Sequence, residues 1–156
     1  MKSYEKTGVI SVDDLDLPNE EELKKGVAII ECVQNIPCNP CVEACPFGAI
    51  SMKDLNSTPI VDYSKCRGCK KCIAVCPGLA IFVVKILDDY AMISLPYEML
   101  PVPKVGDKVH ALDREGKVVG KAEVVHVGTE RKTHVITIKV DRKLAMEVRN
   151  ICPIKA

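Results

Sequence analysis

The placement of cysteine constrains this chain more than any other feature of its sequence. Eight of the nine cysteines lie between positions 32 and 76, and the ninth is the distant Cys152. The eight form two runs, and each run ends in a Cys-Pro pair, at Cys45-Pro46 and at Cys76-Pro77. So many thiols in so short a segment are typical of a fold that is organised around metal centres or disulfide bonds.

The second run has the spacing Cys-x2-Cys-x2-Cys-x3-Cys-Pro, with Cys66, Cys69, Cys72 and Cys76. Bacterial [4Fe–4S] sites have this spacing, and the fourth cysteine binds the other cluster in proteins that hold two. Soft thiolate ligands suit such clusters, and Gly68 lets the backbone of the loop approach its neighbours closely. A zinc ribbon is the alternative, but it needs only four ligands in two separated pairs.

The first run repeats the second at a distance of 31 residues, and its matching cysteines are Cys38, Cys41 and Cys45. The position that corresponds to Cys66 is occupied by Asn35, three residues after Cys32. We infer that Cys32 supplies the missing ligand through a wider loop. A site with three cysteines that holds a [3Fe–4S] cluster, or has a labile iron, is the alternative.

The repeat therefore predicts two [4Fe–4S] clusters with crossed ligands. We assign to the first cluster Cys32, Cys38, Cys41 and Cys76. We assign to the second cluster Cys66, Cys69, Cys72 and Cys45. This exchange of ligands holds both clusters in one small domain, in which electrons can pass from one cluster to the other. Cys152 is interpreted as a small core residue or an idle thiol.

Composition and charge argue against several other classes of protein. The formal net charge of +1 gives no general attraction to nucleic acid or to an anionic membrane. No apolar run approaches the roughly 18–20 residues of a membrane span, and the first residues lack the apolar region of a signal peptide. We therefore expect a cytoplasmic protein, in which cysteines serve metal or redox chemistry rather than disulfide bonds.

Motifs for catalysis by the chain itself are missing from the sequence. It contains no Gly-rich phosphate loop and no nucleophile motif, so we expect no small-molecule substrate and no bound flavin. The three histidines, His110, His126 and His134, lack the neighbouring ligands of a metal site. No aromatic residue follows Tyr97, and proteins that bind single-stranded nucleic acid use aromatic stacking. We expect no nucleic-acid partner.

The chain divides into an N-terminal extension (1–26), a two-cluster domain (27–95) and a β domain (96–156), with a proline-rich connection at 96–103. In the extension, Asn19 is expected to cap a short helix that Gly26 ends. In the two-cluster domain we expect short strands at residues 27–31, 50–53, 59–62 and 81–86, with the second and third of these paired.

The last part of the chain has a different pattern. Its Val/Ile-rich runs predict antiparallel strands at residues 105–112, 117–127 and 134–140. Gly116 is expected to take a positive φ in a hairpin turn. Asp141 is expected to cap a final helix with Leu144, Val148 and Ile151 on one face. The sequence thus predicts an α+β protein in which a small antiparallel β-barrel-like domain with a C-terminal helix follows the cluster domain, and a short, highly curved antiparallel sheet is the alternative to the barrel.

Residues 27–86 resemble the bacterial-type two-[4Fe–4S] ferredoxins, through the motifs at residues 38–46 and 66–77. This resemblance implies a ferredoxin-like fold with pseudo-two-fold symmetry and electron transfer without substrate chemistry. The whole chain is similar to the ferredoxin-like subunit of multi-subunit FAD-dependent amino acid dehydrogenases of the proline and hydroxyproline type, through residues 26–41 and 103–109. That similarity implies that FAD-containing partner subunits oxidise the substrate and pass electrons through the clusters of this chain, which is itself no enzyme.

Two other functions remain open at this point. A freely diffusing ferredoxin would carry the same clusters without a stable partner. A structural or regulatory iron–sulfur protein could bind nucleic acid with an affinity that depends on salt. We prefer an electron-transfer subunit of a larger complex, because the β domain and the acidic N-terminal segment offer contact surface that a free carrier does not need.

Overall fold

The computed structural model describes residues 17–31, 40–54, 57–76, 80–99, 102–128 and 133–153. The helices are α1 (Glu20–Lys25), α2 (Pro40–Ala44) and α3 (Lys71–Val75). The strands, in chain order, are β1 (Val27–Ile30), β2 (Ile50–Ser51), β3 (Ile60–Val61), β4 (Ile81–Ile86), β5 (Tyr90–Tyr97), β6 (Lys108–Leu112), β7 (Val118–Gly128), β8 (His134–Asp141) and β9 (Asn150–Pro153). The predicted ligands Cys32 and Cys38 lie outside the described residues.

Helix α1 begins and ends as the sequence predicts. The side chain of Asn19 accepts a hydrogen bond from the backbone N–H of Glu22 (2.9 Å), and the carboxylate of Glu22 accepts one from the N–H of Asn19 (3.0 Å). This reciprocal pair is a capping box. Gly26 ends the helix with φ of 84°, a conformation that glycine adopts without steric cost.

Seven strands form one antiparallel sheet with the order β1-β4-β5-β8-β7-β6-β9, and β2 pairs with β3 in a separate small sheet. The predicted pairing of β2 with β3 is confirmed, with Ile50 opposite Val61. The predicted hairpin between β6 and β7 is also confirmed, and Gly116 has φ of 84° in its turn. The side chain of Asp113 accepts hydrogen bonds from the N–H groups of Glu115 and Lys117 and so stabilises this turn.

The prediction of a barrel-like domain is wrong, because the sheet is open in the part of the chain that the structure describes. Strands β1 and β9 form its two edges. Strand β5 pairs on one side with β4 and on the other side with β8. The sheet is therefore continuous across residues 95 and 96, at which the sequence divides the cluster domain from the β domain. The division into 1–26, 27–95 and 96–156 stays a prediction.

Strand β5 includes Pro96, which the sequence places in the connection between domains. The pairing with β4 ends at Ser94, whereas the pairing with β8 continues to Tyr97. Pro96 therefore has a strand neighbour on one side only. Proline cannot donate a hydrogen bond to a neighbouring strand, and such one-sided positions are where sheets tolerate it.

The predicted C-terminal helix is also wrong. Asp141 does act as a cap and accepts a hydrogen bond from the N–H of Lys143, but only a 3-10 turn at Arg142–Leu144 follows. The chain then extends into β9, which pairs with β6. Val148 and Ile151 are buried as expected, but from a loop and a strand rather than from one helix face. Three apolar residues are too few for their spacing in the sequence to distinguish a helix from a loop followed by a strand.

Two apolar cores lie on opposite sides of β1 and β4. The larger core takes residues from all seven strands of the main sheet, including Ile29 and Val84. The smaller core contains Ala28, Cys41, Ile50, Cys72, Ile73, Ile81 and Val83. Successive residues of a strand point to opposite faces, and both faces of β1 and β4 are covered. This burial explains why the two strands are apolar without a polar alternation.

Candidate metal centre

The loop of residues 66–70 is positioned by close packing against the start of β1. Gly68 has φ of +66°, and a Cβ atom at this position would lie 2.8 Å from the carbonyl oxygen of Gly26. The expected close approach at Gly68 is thus present. Next to it, the backbone N–H of Ala28 donates a hydrogen bond to Sγ of Cys66 (3.2 Å). Strand β1 therefore holds the first thiol of the second run.

The internal repeat of the sequence is also a repeat of structure. Helices α2 and α3 are both five residues long and start 31 positions apart, and β2 and β4 start 31 positions apart as well. The N–H of Ala49 donates to Sγ of Cys45 (3.4 Å), and the N–H of Ala80 donates to Sγ of Cys76 (3.5 Å). The two halves thus present their Cys-Pro thiols in the same way, as pseudo-two-fold symmetry requires. Such N–H···S bonds tune iron–sulfur centres.

Four thiols from the two runs line one cavity: Cys45, Cys66, Cys69 and Cys72. These are the residues that the sequence assigns to the second cluster, and Cys45 is the one that comes from the first run. The remaining walls are largely apolar, with Ala28, Phe47, Ile50 and Val83. Cys41 is buried in the small core, and Cys76 packs against that core. The crossing of ligands is thus geometrically available for the second cluster.

The electrostatics of the cavity suit a positively charged cofactor. Burial and, after it, the neighbouring thiols of Cys66, Cys69 and Cys41 raise the pKa of Cys72 to about 12. A thiol of this kind keeps its proton at neutral pH unless a bound cation stabilises the thiolate. Iron ions supply that stabilisation, and the N–H groups of Ala28 and Ala49 already point at two of the sulfur atoms.

The arrangement differs from that of a site for a single ion. Among the residues with described coordinates, no three or more His, Cys, Asp or Glu side chains are grouped as the ligands of one metal ion. Zinc would hold its thiolates at about 2.3 Å, whereas Cys45, Cys66, Cys69 and Cys72 surround a cavity. When bound, [4Fe–4S] clusters accept and release single electrons.

The other residues that the sequence singles out lie elsewhere. His110, His126 and His134 are in strands β6, β7 and β8. Cys152 is exposed on β9, so the interpretation as a core residue is wrong, and the interpretation as an idle thiol stays a prediction. Ile50, Ile73 and Ile81 are buried in the smaller core, whereas Ile60 is 57% exposed.

Lys70 is a residue of the site that the sequence does not reveal. It precedes α3 with φ of 71°, in the left-handed region that residues other than glycine seldom adopt. Its ammonium donates a hydrogen bond to Oγ1 of Thr137 (3.3 Å), which also bonds the hydroxyl of Ser94 (2.8 Å). These contacts tie the ligand loop to β5 and β8. The local sequence does not predict these contacts, because Lys70 and Thr137 are far apart in the chain.

Glu31 belongs to a second contact that the sequence does not reveal. This buried carboxylate directly precedes Cys32 and accepts two hydrogen bonds from Arg114 (2.8 and 3.0 Å) and another from Arg149. The guanidinium of Arg149 also donates to the carbonyl groups of Ala145 and Val148. Two arginines from the C-terminal half of the chain thus hold the end of β1, next to the first predicted ligand.

Comparison with known proteins points to the same cofactor. Residues 31–80 match the family model of the 4Fe-4S dicluster domain. The chain is 35% identical over 57 residues to the polyferredoxin-like subunit of the aliphatic sulfonate oxidoreductase of Pyrococcus furiosus, which covers 36% of this chain and 33% of that protein. It is 38% identical over 60 residues to one of the subunits of the sulfite dehydrogenase of Allochromatium vinosum, covering 38% and 23%.

A third relative is the thiosulfate reductase electron transfer subunit of Salmonella typhi, with 53% identity over 38 residues, 24% of this chain and 19% of that protein. The chain thus spans a third or less of the length of these relatives. No solved structure matches it significantly. No helix within the described ranges is both long and apolar enough to cross a membrane. The match at residues 31–80 and the cavity with four thiols lead to one conclusion: the chain carries two [4Fe–4S] clusters.

Proposed function

We propose that this chain is an electron-transfer subunit that relays single electrons from a flavin-dependent amino acid or amine dehydrogenase to an acceptor. The observation that carries the proposal is the cavity in which Cys45 of the first run meets Cys66, Cys69 and Cys72 of the second. Crossed ligands of this kind keep two clusters close together, as a relay requires. The chain binds no substrate of its own in this proposal, and the dehydrogenase partner carries out the chemistry.

The proposed ligands of the first cluster are Cys32, Cys38, Cys41 and Cys76, and those of the second are Cys66, Cys69, Cys72 and Cys45. For the first cluster, support comes from Cys41 and Cys76, which both contact the small core. Glu31, which immediately precedes Cys32 in the sequence, is held by two arginines. The alternative for this site is a [3Fe–4S] cluster with three cysteines.

The identity of the partner has two candidates. Similarity of residues 26–41 and 103–109 to subunits of FAD-dependent amino acid dehydrogenases supports a flavoprotein complex in the cytoplasm. The relatives are named for enzymes that act on sulfonates, sulfite and thiosulfate, and they support an oxidoreductase of sulfur compounds. Those matches cover 24–38% of this chain, so they favour electron transfer over either kind of substrate.

Metal analysis tests the cofactor half of the proposal. Protein prepared without oxygen is expected to contain about eight irons and about eight acid-labile sulfides, as two four-iron clusters require. A count of about seven irons would indicate the [3Fe–4S] alternative. Zinc without sulfide would overturn the cluster assignment altogether.

Isolation from the native extract, also without oxygen, tests the partner. Co-elution with FAD-containing chains and amino acid oxidation by the complex are expected. Co-elution with chains that act on a sulfur compound would replace the amine dehydrogenase by the second candidate. Elution as a lone chain would favour a freely diffusing ferredoxin, and salt-dependent binding of nucleic acid would favour a structural or regulatory iron–sulfur protein.

A further inference from the structure

A groove of about 450 Å³ lies beside the cavity of the second cluster. On one side it is lined by Ala44 of α2 and by Ala74 and Val75 of α3, and on the other side by His126 of β7 and Val135 of β8. Its volume lies within the range of sites that bind small molecules or side chains of a partner. The groove thus lies between helices α2 and α3 on one side and the main sheet on the other.

The wall between this groove and the cluster cavity is thin, because Cys69 and Lys70 line both. Cys69 is exposed, whereas Cys72 is buried and Cys45 and Cys66 are half-buried. Of the four thiols around the cavity, that of Cys69 therefore gives the shortest protein path from a bound cluster to the surface. Electron transfer weakens steeply with distance, so a partner seated in the groove would be well placed to exchange electrons.

Positive charge surrounds this exposed thiol. Lys70 and Lys71 line the groove, and Arg67 lines the adjoining cavity. Arg67 and Lys71 are exposed and form no ion pair within the described residues. The described lining of the groove contains no acidic side chain. This surface therefore combines unpaired cations with apolar walls.

We infer that the groove is a docking surface for an acidic, partly apolar segment of the redox partner, and that electrons pass between the two proteins at Cys69. Carboxylates of the partner would face Lys71 and Lys70, and its apolar side chains would pack on Ala74 and Val75. One electron moves in each encounter, and no bond or proton is transferred. The inference rests on the proposed electron-transfer function and adds the place and the chemistry of docking.

Small redox ions test the charge of this surface. The holoprotein, reduced without oxygen, is mixed in a stopped-flow instrument with ferricyanide or with hexaamminecobalt(III), each of which accepts one electron. At low ionic strength Lys71→Glu is expected to slow electron transfer to ferricyanide by about tenfold and to speed transfer to hexaamminecobalt(III). Both differences should vanish at high salt. An unchanged visible spectrum would show that the variant retains its clusters.

Lys121→Glu is the matched control. Lys121 is also an exposed lysine, it does not line this groove, and its loss changes the net charge of the protein by the same amount. It lies five residues before His126 along β7, roughly 17 Å away. The rates at which the Lys121→Glu variant transfers electrons to ferricyanide and to hexaamminecobalt(III) should stay close to those of the wild type. Equal effects of both variants, or none from Lys71→Glu, would overturn the inference.

A decapeptide of alternating glutamate and leucine tests docking itself. It should slow electron transfer from the wild-type protein to ferricyanide and have little effect on the Lys71→Glu variant. If the peptide has no effect on the wild type, the groove attracts small anions only, and the docking inference is wrong. A wild-type protein that lacks clusters, or that ferricyanide and hexaamminecobalt(III) both fail to oxidise, would overturn the proposed function instead.

Discussion

At the scale of single residues, two glycines determine where the second ligand loop can lie. Gly26 ends α1, and Gly68 lies in the loop of residues 66–70. The backbones of these two glycines are so close that no side chain fits between them. The N–H of Ala28 is thereby brought to Sγ of Cys66. The position of the metal centre relative to the sheet thus depends on backbone packing as well as on the cysteines.

Gly68→Ala is expected to weaken both the fold and the second cluster. The new Cβ would clash with the carbonyl oxygen of Gly26, and the residue would also keep an unfavourable positive φ. We expect a loss of about 1–3 kcal/mol in the free energy of unfolding, together with loss of iron. Denaturant titration and iron analysis measure the two effects.

Gly116→Ala is the control for this prediction. Gly116 also has a positive φ, but a Cβ atom there would meet nothing within 4 Å. This variant should lose only about 1 kcal/mol from the conformational cost and should keep its iron. Equal effects of the two substitutions would show that the close approach at Gly68 does not matter.

Cys45→Ser tests the crossed ligand at the same scale. Its thiol lines the cavity formed mainly by the second run, although it belongs to the first. We expect the variant to lose about four irons, the content of one cluster. Cys152→Ser, which changes an exposed thiol on β9, should retain the full iron content. Retention of about eight irons by Cys45→Ser would contradict the assignment.

At the scale of elements, the end of β1 is fixed by contacts from far along the chain. Glu31 lies between Arg114, in the turn between β6 and β7, and Arg149, just before β9. All three side chains are largely buried. This triad fixes the end of β1, which immediately precedes the predicted ligand Cys32 in the sequence.

Glu31→Gln is expected to destabilise the protein strongly. The substitution leaves the charges of Arg114 and Arg149 buried without a carboxylate, and breaking a buried ion pair in this way costs about 3–5 kcal/mol. Denaturant titration at neutral pH measures the loss. Glu123→Gln, which removes an exposed ion pair with Lys108, should change the stability little. Similar stability of the two variants would contradict a structural role of the buried triad.

At the scale of the whole molecule, the two cores differ in how much regular secondary structure surrounds them. The larger core is built from all seven strands of the main sheet. The smaller core relies on two five-residue helices and a two-stranded sheet. Helices of this length and isolated strand pairs are hardly stable in water. Cluster binding should therefore stabilise the smaller core in particular.

Removal of iron and sulfide tests this difference. We expect backbone amides at residues 40–54 and 57–76 to lose protection from hydrogen exchange, while those of β5, β7 and β8 stay protected. Mass spectrometry of peptides from the holoprotein and the iron-free protein gives the comparison. Loss of protection in both regions together would show that the cores unfold as one unit, and would also argue against the predicted division near residue 96.

The sequence by itself determined the features that depend on neighbouring residues. The spacing of the cysteines, the repeat at 31 residues, the cap at Asn19 and the turn at Gly116 are all local, and each is present in the structure or supported by the match to the dicluster domain. Local spacing decides which thiols can reach one cofactor, so the cluster type could be predicted from it.

Only the tertiary structure decided how these parts are joined. Pro96 can lie within β5 because the pairing of β5 with β4 ends at Ser94. Residues 150–153 form a strand because they can pair with β6. The residues that contact Glu31, and those that line the groove beside Cys69, come from distant parts of the sequence. Strand pairing, burial and ion pairs between distant segments depend on contacts that form only in the folded chain. Patterns among neighbouring residues do not predict these contacts.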